Sequence, residues 1–201
     1  MLRPGSQLDW RQSRRDSARS AILAVAWSAV SEDGLAGLSL RDLARRAGIT
    51  TPTVYAYFAS KNDIFDAMFG QAAEEFALHL EAPRRSDDPR EILTEGLERF
   101  FEFCRASVPR YQLLFQHVIP GFAPSPESYA PAQRALDSTR DRLARNGVTD
   151  ERHLDIWTAL TTGLVSQQIA NDPGGDRWIR LIDDVVTMFL NHCQTAQPCR
   201  G

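Results

Sequence analysis

The stretch LSLRDLARRAGITTPTVYAYFASKNDIFDAM, Leu38 to Met68, decides the fold. Ser39 stands where an N-cap belongs, Leu40, Leu43, Ala44 and Ala47 recur at helical spacing, and Gly48 gives the chain the freedom to leave the helix. A second helix starts at once, the recognition helix, over about residues 50–57. Its first turn carries Thr51, Pro52 and Thr53, and proline is tolerated there because an early helical amide has no intrahelical partner. Val54 and Phe58, four apart, form its inward stripe, which leaves Tyr55 and Tyr57 to point elsewhere. Ser60 with Asp63 three residues on is a capping box that opens a longer helix. Two short helices around a glycine turn, with hydroxyls and rings left outward, suit a DNA groove.

Charge supports that expectation. Between Ser39 and Lys61 the charged residues are Arg41, Arg45, Arg46 and Lys61 against Asp42 alone, on a chain whose net charge is -3. Residues 1–70 hold nine Arg or Lys and seven Asp or Glu, whereas the remainder holds fourteen and nineteen. A positive end on an acidic protein marks the side that meets a polyanion. Residues 1–13 read as a disordered basic arm, and Arg11, Arg14, Arg15 and Arg19 flank only Asp16, so the chain entering the first helix either reaches phosphate or is simply solvated.

From about Arg14 to Phe69 the sequence resembles the DNA-binding domain of the TetR family of bacterial transcriptional regulators. Ile22-Leu23 through Gly34 is similar to that family's first helix, Ser39-Leu40-Arg41-Asp42-Leu43-Ala44 to its second, and Ala47 through Lys61 to its turn, recognition helix and entry to helix four. The resemblance implies that Ser39, Tyr55, Tyr57 and Lys61 contact phosphates and that Arg41, Thr51, Pro52 and Thr53 reach base edges. Ala56 departs from the larger residue often present there, which leaves one base position without a long side chain. The resemblance also implies a homodimer on double-stranded DNA with a palindromic operator, and repression as the family's habit.

The rest reads as helices without a convincing strand: an all-α chain of about nine helices. A helix-turn-helix domain over 14–70 precedes a larger helical domain over 71–201 for effector binding and dimerisation. Helix one is expected from about Arg14 to Ser31, helix four toward Leu80, helix five from Asp88-Pro89, and helix six from roughly Pro109 to His117. Three prolines and a glycine between Ile119 and Pro126 force a loop. Helix seven then runs to Arg145, stopped by Asn146-Gly147; helix eight runs from Thr149 or Asp150 to about Ala170; and helix nine spans about Asp176 to Cys193 after the turn Asn171-Asp172-Pro173-Gly174-Gly175. No apolar run is long enough to cross a bilayer and no signal-like segment opens the chain, so a cytoplasmic protein with no membrane partner is expected. Cys104, Cys193 and Cys199 fit a reducing compartment, with a Cys193–Cys199 disulfide as the less favoured alternative.

Leu160, Gly163 and Gln167 on helix eight, with Trp178, Ile182, Val186 and Phe189 on helix nine, form stripes that a second helix pair can cover. The resemblance implies a four-helix dimer seam there. Phe100, Phe103, Tyr111, Leu114, Phe115, Phe122, Trp157 and Thr161 are expected either to line a cavity for a small apolar or aromatic effector or to fill a solid core. Gln112, His117, Thr162 and Gln168 either orient such a ligand or face water. Catalysis has no support: His79, His117, His153 and His192 fall on different elements, and neither a nucleophile elbow, a phosphate loop nor zinc-spaced cysteines occur. Asp172 and Asp176 around two glycines read as a turn, not a calcium loop. No metal, cofactor or catalytic residue is therefore expected.

Overall fold

The computed structural model describes residues 5–195. Among them are nine α-helices and no strand. In chain order they are α1 (Gly5–Gly37), α2 (Leu40–Arg46), α3 (Thr51–Tyr57), α4 (Lys61–Glu81), α5 (Pro89–Ala106), α6 (Val108–Phe115), α7 (Pro126–Arg145), α8 (Glu151–Asn171) and α9 (Ile182–Thr195).

The caps follow the sequence closely. Ala47 ends α2, Gly48 takes φ +67°, and the amides of Gly48 and Ile49 return to the carbonyls of Arg45 and Ala44 at 3.2 and 3.0 Å. This is a Schellman closure, which satisfies carbonyls that the helix leaves open. At α4 the Ser60 hydroxyl accepts from the Asp63 amide at 3.1 Å while the Asp63 carboxylate accepts from the Ala59 amide at 2.9 Å. Asp88 and Ser125 cap α5 and α7 in the same way.

Two boundaries and one cap differ from expectation. Helix α1 begins at Gly5, so residues 5–13, expected to be a disordered arm, continue the helix, with Arg14 stacked over the Trp10 ring at 4.4 Å; residues 1–4 lie outside the described residues. Nothing before Gly34 breaks helical geometry, and Gly34 itself has φ +72°. Ser39 holds the N-cap position of α2, but its hydroxyl makes no cap bond. Helix α9 starts at Ile182, later than expected, because Ile179–Leu181 wind as a 3-10 turn. Cys104 and Cys193 are buried thiols, and Cys199 lies outside the described residues.

Two apolar clusters share α4. One joins Ile22, Ala26 and Val30 of α1 to Leu43, Val54, Phe58, Ile64, Phe65 and Met68; the other gathers Phe76 and Leu80 with α5, α7, α8 and α9 around Phe101, Trp157, Val165 and Phe189. Gly70, the expected domain boundary, lies inside α4, so this helix belongs to the head and the body alike. A Cβ on Gly70 would sit 3.2 Å from the Ser128 hydroxyl, which shows how closely α7 packs there.

A buried ion pair fastens the end of α4 to α5. Glu95 and Arg99 are 4% and 9% exposed, joined at 2.5 Å, and Arg99 also donates to the carbonyls of His79 and Pro83 at 2.8 and 2.7 Å. Burial alone would raise the Glu95 carboxyl, but the Arg85 amide and the Arg99 and Arg85 guanidiniums outweigh it and hold it below its ordinary value of 4.5. A group with a depressed folded-state pKa contributes stability that is complete above the unfolded value and is lost as pH falls through the folded one. Glu95→Gln should therefore cost about 3 kcal/mol in urea unfolding at neutral pH. Acidification below pH 4.5 should then destabilise the variant less steeply than the native chain; equal slopes would show that Glu95 is not the group responsible.

Candidate nucleic-acid interface and body cavity

Helix α3 is anchored from three sides. Val54 and Phe58 are sealed in the core at 0% and 1% exposure. Thr50, which sequence reasoning passed over, is its N-cap: the Thr50 hydroxyl accepts from the Thr53 amide at 3.3 Å and lies 2.8 Å from the Thr53 hydroxyl. Arg19 closes the other end, donating to the Tyr57 carbonyl and stacking over the Phe58 ring at 4.3 Å. Arg19 was grouped with the basic arm; it serves instead as a clamp on α3, since α1 passes directly behind that helix.

What remains outward is the predicted contact set. Ser39, Arg41, Pro52 and Tyr55 are exposed, while Thr51, Thr53, Tyr57 and Lys61 are half-buried. The absent cap bond at Ser39 leaves that hydroxyl facing outward for another acceptor. The positive charge is smaller than the local count suggests. Arg46 pairs with Glu32, Asp33 and Asp42 at 2.6, 2.8 and 2.5 Å, and Arg45 pairs with Asp42 at 2.5 Å. Hydrogen bonds from Arg45 and Arg46 hold the Asp42 carboxyl below its usual range. The sequence window from Ser39 to Lys61 could not show this, because Glu32 and Asp33 come from the end of α1. Among the described residues Arg41 and Lys61 enter no ion pair; the Lys61 ammonium lies 5.3 Å from the Phe65 ring centre. Two unpaired cations flanking a short helix of hydroxyls and tyrosines can meet a base edge through Arg41 and a phosphate through Lys61.

The body encloses a cavity of about 320 Å³ between α4, α5, α6, α7 and α8. Of the expected liners, Phe100, Leu114, Phe115, Trp157 and Thr161 reach it, as does Thr162. Three do not. Phe103 packs on Phe76 with ring centres 4.9 Å apart; Tyr111 is 2% exposed, its hydroxyl accepting from Gln116; and Phe122 joins the head cluster against Phe65 and Phe69. The loop after α6 folds toward the head, and this carries Phe122 away. The cavity was expected between helices five to eight; α4 joins them through Phe69, Phe76 and Leu80, and α7 contributes Tyr129, Ala132, Ala135, Thr139 and Arg142, none of which the sequence singled out. Gln168 is not a ligand group: fully buried, it donates to the Gly175 carbonyl and accepts from the amides of Trp178 and Ile179, holding the α8–α9 turn. Asp172 accepts from the Arg177 amide within the same turn.

The expected seam is corrected in part. Ile182, Val186 and Phe189 are 5%, 0% and 1% exposed within one subunit, because that stripe of α9 packs on the body core. Gly163 and Gln167 of α8 and Met188 of α9 are left exposed, while Ile156, Leu160, Trp178 and Val185 are half-buried, Ile156, Leu160 and Val185 against the body core. Met188 is 55% exposed, and a Cβ on Gly163 would meet nothing within 4 Å.

A capped two-helix corner with its second helix exposed, mounted on a helical body, defines a helix-turn-helix protein. Residues 22–68 match the model of "Bacterial regulatory proteins, tetR family". The chain is 38% identical over 92 residues to the HTH-type transcriptional regulator EthR of Mycobacterium tuberculosis, covering 43% of this chain and 42% of EthR. It is 25% identical over 130 residues to the HTH-type transcriptional activator FasR of Mycolicibacterium smegmatis, covering 64% of this chain and 58% of FasR. The matches thus span about half the length of these relatives. The fold is shared more widely: a tetR-family transcriptional regulator from Streptomyces coelicolor superposes with a TM-score of 0.65 at 19% identity, covering 92% of each chain. None of the helices is long and apolar enough to cross a membrane among the described residues.

Proposed function

We propose that the protein is a homodimeric, sequence-specific transcriptional regulator, a repressor that leaves a palindromic operator when a small apolar or aromatic molecule enters the body cavity. The carrying observation is the exposed face of α3, flanked by Arg41 and Lys61, on a domain of a DNA-binding family. Ser39, Tyr55, Tyr57 and Lys61 hold phosphates, and Arg41, Thr51, Pro52 and Thr53 read bases. Twofold symmetry sets two such helices about 34–36 Å apart, one turn of duplex, so that neither subunit alone has to specify enough sequence.

Besides α4, which lines the cavity through Phe69, Phe76 and Leu80 and runs on into the head, two cavity walls reach the head. Helix α6 supplies Leu114 and Phe115 to the cavity and reaches α1 through Arg110, which stacks over Trp27 at 4.5 Å and pairs with Glu75 at 2.7 Å. Helix α7 supplies Tyr129 to Arg142 and is tied at its first turn to α4: Asp66 accepts from the Ser125 amide and hydroxyl at 2.6 and 2.9 Å and from the Ser128 hydroxyl at 2.9 Å. A ligand shifts the operator equilibrium only by its differential affinity for the two dispositions of the heads. Footprinting on the DNA upstream of its own gene tests the operator, and a screen for compounds that raise the melting temperature and release that DNA tests the effector. A protected palindrome that such a compound clears supports the reading; protection that no stabilising compound disturbs favours a regulator without an effector. Asp66→Ala should cost about 2 kcal/mol, since it removes a charged acceptor. It should also leave operator affinity insensitive to a releasing compound, as measured by fluorescence anisotropy; undiminished release would exclude the α7–α4 route.

A further inference from the structure

Arg142 of α7 is a buried cation that forms no ion pair among the described residues. The residue is 7% exposed, its Nη1 donates to the Ile92 carbonyl at 3.1 Å, and its Nη2 donates to the Leu80 carbonyl in the last turn of α4. Its Nε, shielded from solvent, has no hydrogen-bond partner, and among the described residues it enters no ion pair. Glu95 is already engaged by Arg99 and Arg85. Burial, followed by the nearby charge of Arg99, pushes the Arg142 guanidinium down from its ordinary value against the pull of Glu95, yet an arginine stays protonated in proteins. The two carbonyls, one of them at the negative end of α4, answer two of the guanidinium's donors but leave Nε open, and no carboxylate forms an ion pair with this buried cation among the described residues.

The position of the guanidinium supplies a reason. Arg142 lines the apolar cavity, and it also lines a second, polar recess of about 430 Å³ together with Arg84, Arg145, Glu81 and Asp141. Leu80 and Arg142 are common to both, so the guanidinium stands at the partition between an apolar chamber and a polar one. On α5, Gly96 makes room for it: a Cβ there would fall 2.9 Å from the Arg142 Cδ and 3.2 Å from Nε. We infer that the cavity takes an amphiphile with a single carboxylate head on an apolar body, and that Arg142 receives the head while Phe76, Phe100, Phe115 and Trp157 enclose the body. This rests on the cavity being the effector site.

Three probes of one length and different head charge separate the possibilities on the intact protein: decanoate, decanol and decylamine, each below its aggregation threshold, read by thermal shift and tryptophan quenching. Decanoate should bind about ten-fold more tightly than decanol, as a charge-assisted hydrogen bond in a dry site requires, and decylamine more weakly than either. In Arg142→Gln the preference for decanoate over decanol should vanish while decanol binding stays. The order of the three probes on the native chain decides the matter even if that variant does not fold. Equal binding of decanoate and decanol would overturn the role of Arg142 and leave the cavity as a site for neutral molecules. Binding of none of the three would remove the effector-site reading together with this proposal. A decanoate preference that survives in Arg142→Gln would also overturn it, by placing the head elsewhere.

Discussion

Gly163→Arg is expected to turn the protein into a monomer and to lower operator affinity on the order of 100-fold or more, the factor gained when two linked modules bind together. Gly163 is exposed on α8, and a Cβ placed there meets nothing within 4 Å, so one subunit accommodates a side chain without strain. A glycine within a helix costs roughly 0.5–1 kcal/mol relative to alanine, and close approach of a second copy would account for its presence. Leu160, Ile156 and Met188 around it form the apolar surface that the approach would cover. Sedimentation equilibrium on Gly163→Arg reads the association directly, and circular dichroism confirms that the helices survive. A variant that remains dimeric with full affinity for DNA would move the seam away from α8.

The second large effect falls on DNA recognition, and it separates two kinds of arginine only eight residues or fewer from the turn. Arg41→Ala should cost about 1–3 kcal/mol per operator contact and relax sequence preference at one position of each half-site. Lys61→Ala should weaken binding to every duplex and make the salt dependence shallower by about one unit in slope. Arg46→Ala should act differently. Its guanidinium is committed to Glu32, Asp33 and Asp42, so its loss disturbs the contact between α1 and α2 and lowers the stability of the head. Titrations of all three variants at several salt concentrations distinguish the roles. A salt slope unchanged in Lys61→Ala would remove that residue from the phosphate contacts.

The head was legible in the sequence because its information is local. Gly48, the Ser60–Asp63 box and the Val54–Phe58 stripe each act within one or two turns of chain, and each reappears as a cap or a core contact. What the sequence concealed depends on partners far apart in the chain. Glu32 and Asp33 neutralise Arg46 across a turn, Arg19 closes a helix that begins 32 residues later, and Asp66 meets Ser125 across 59 positions. The cavity was read in part because aromatic residues announce a body core but do not say which ring borders empty space. No side chain of α7 was expected at the cavity since Ala132 and Ala135 look like weak packing residues, although α7 packs closely along α4. On α9 a single apolar stripe was assigned to the seam, yet the core of one subunit already consumes it, leaving Met188 exposed and Val185 half-buried beside it.

The central claim is that two α3 helices, joined through α8 and α9, grip one duplex together. Analytical ultracentrifugation of the full chain with a labelled fragment of its own upstream DNA, at low ionic strength, tests this most directly. The account predicts a dimer without DNA and two subunits per bound site, lost as salt rises; a strictly monomeric protein that sediments apart from every duplex would contradict it.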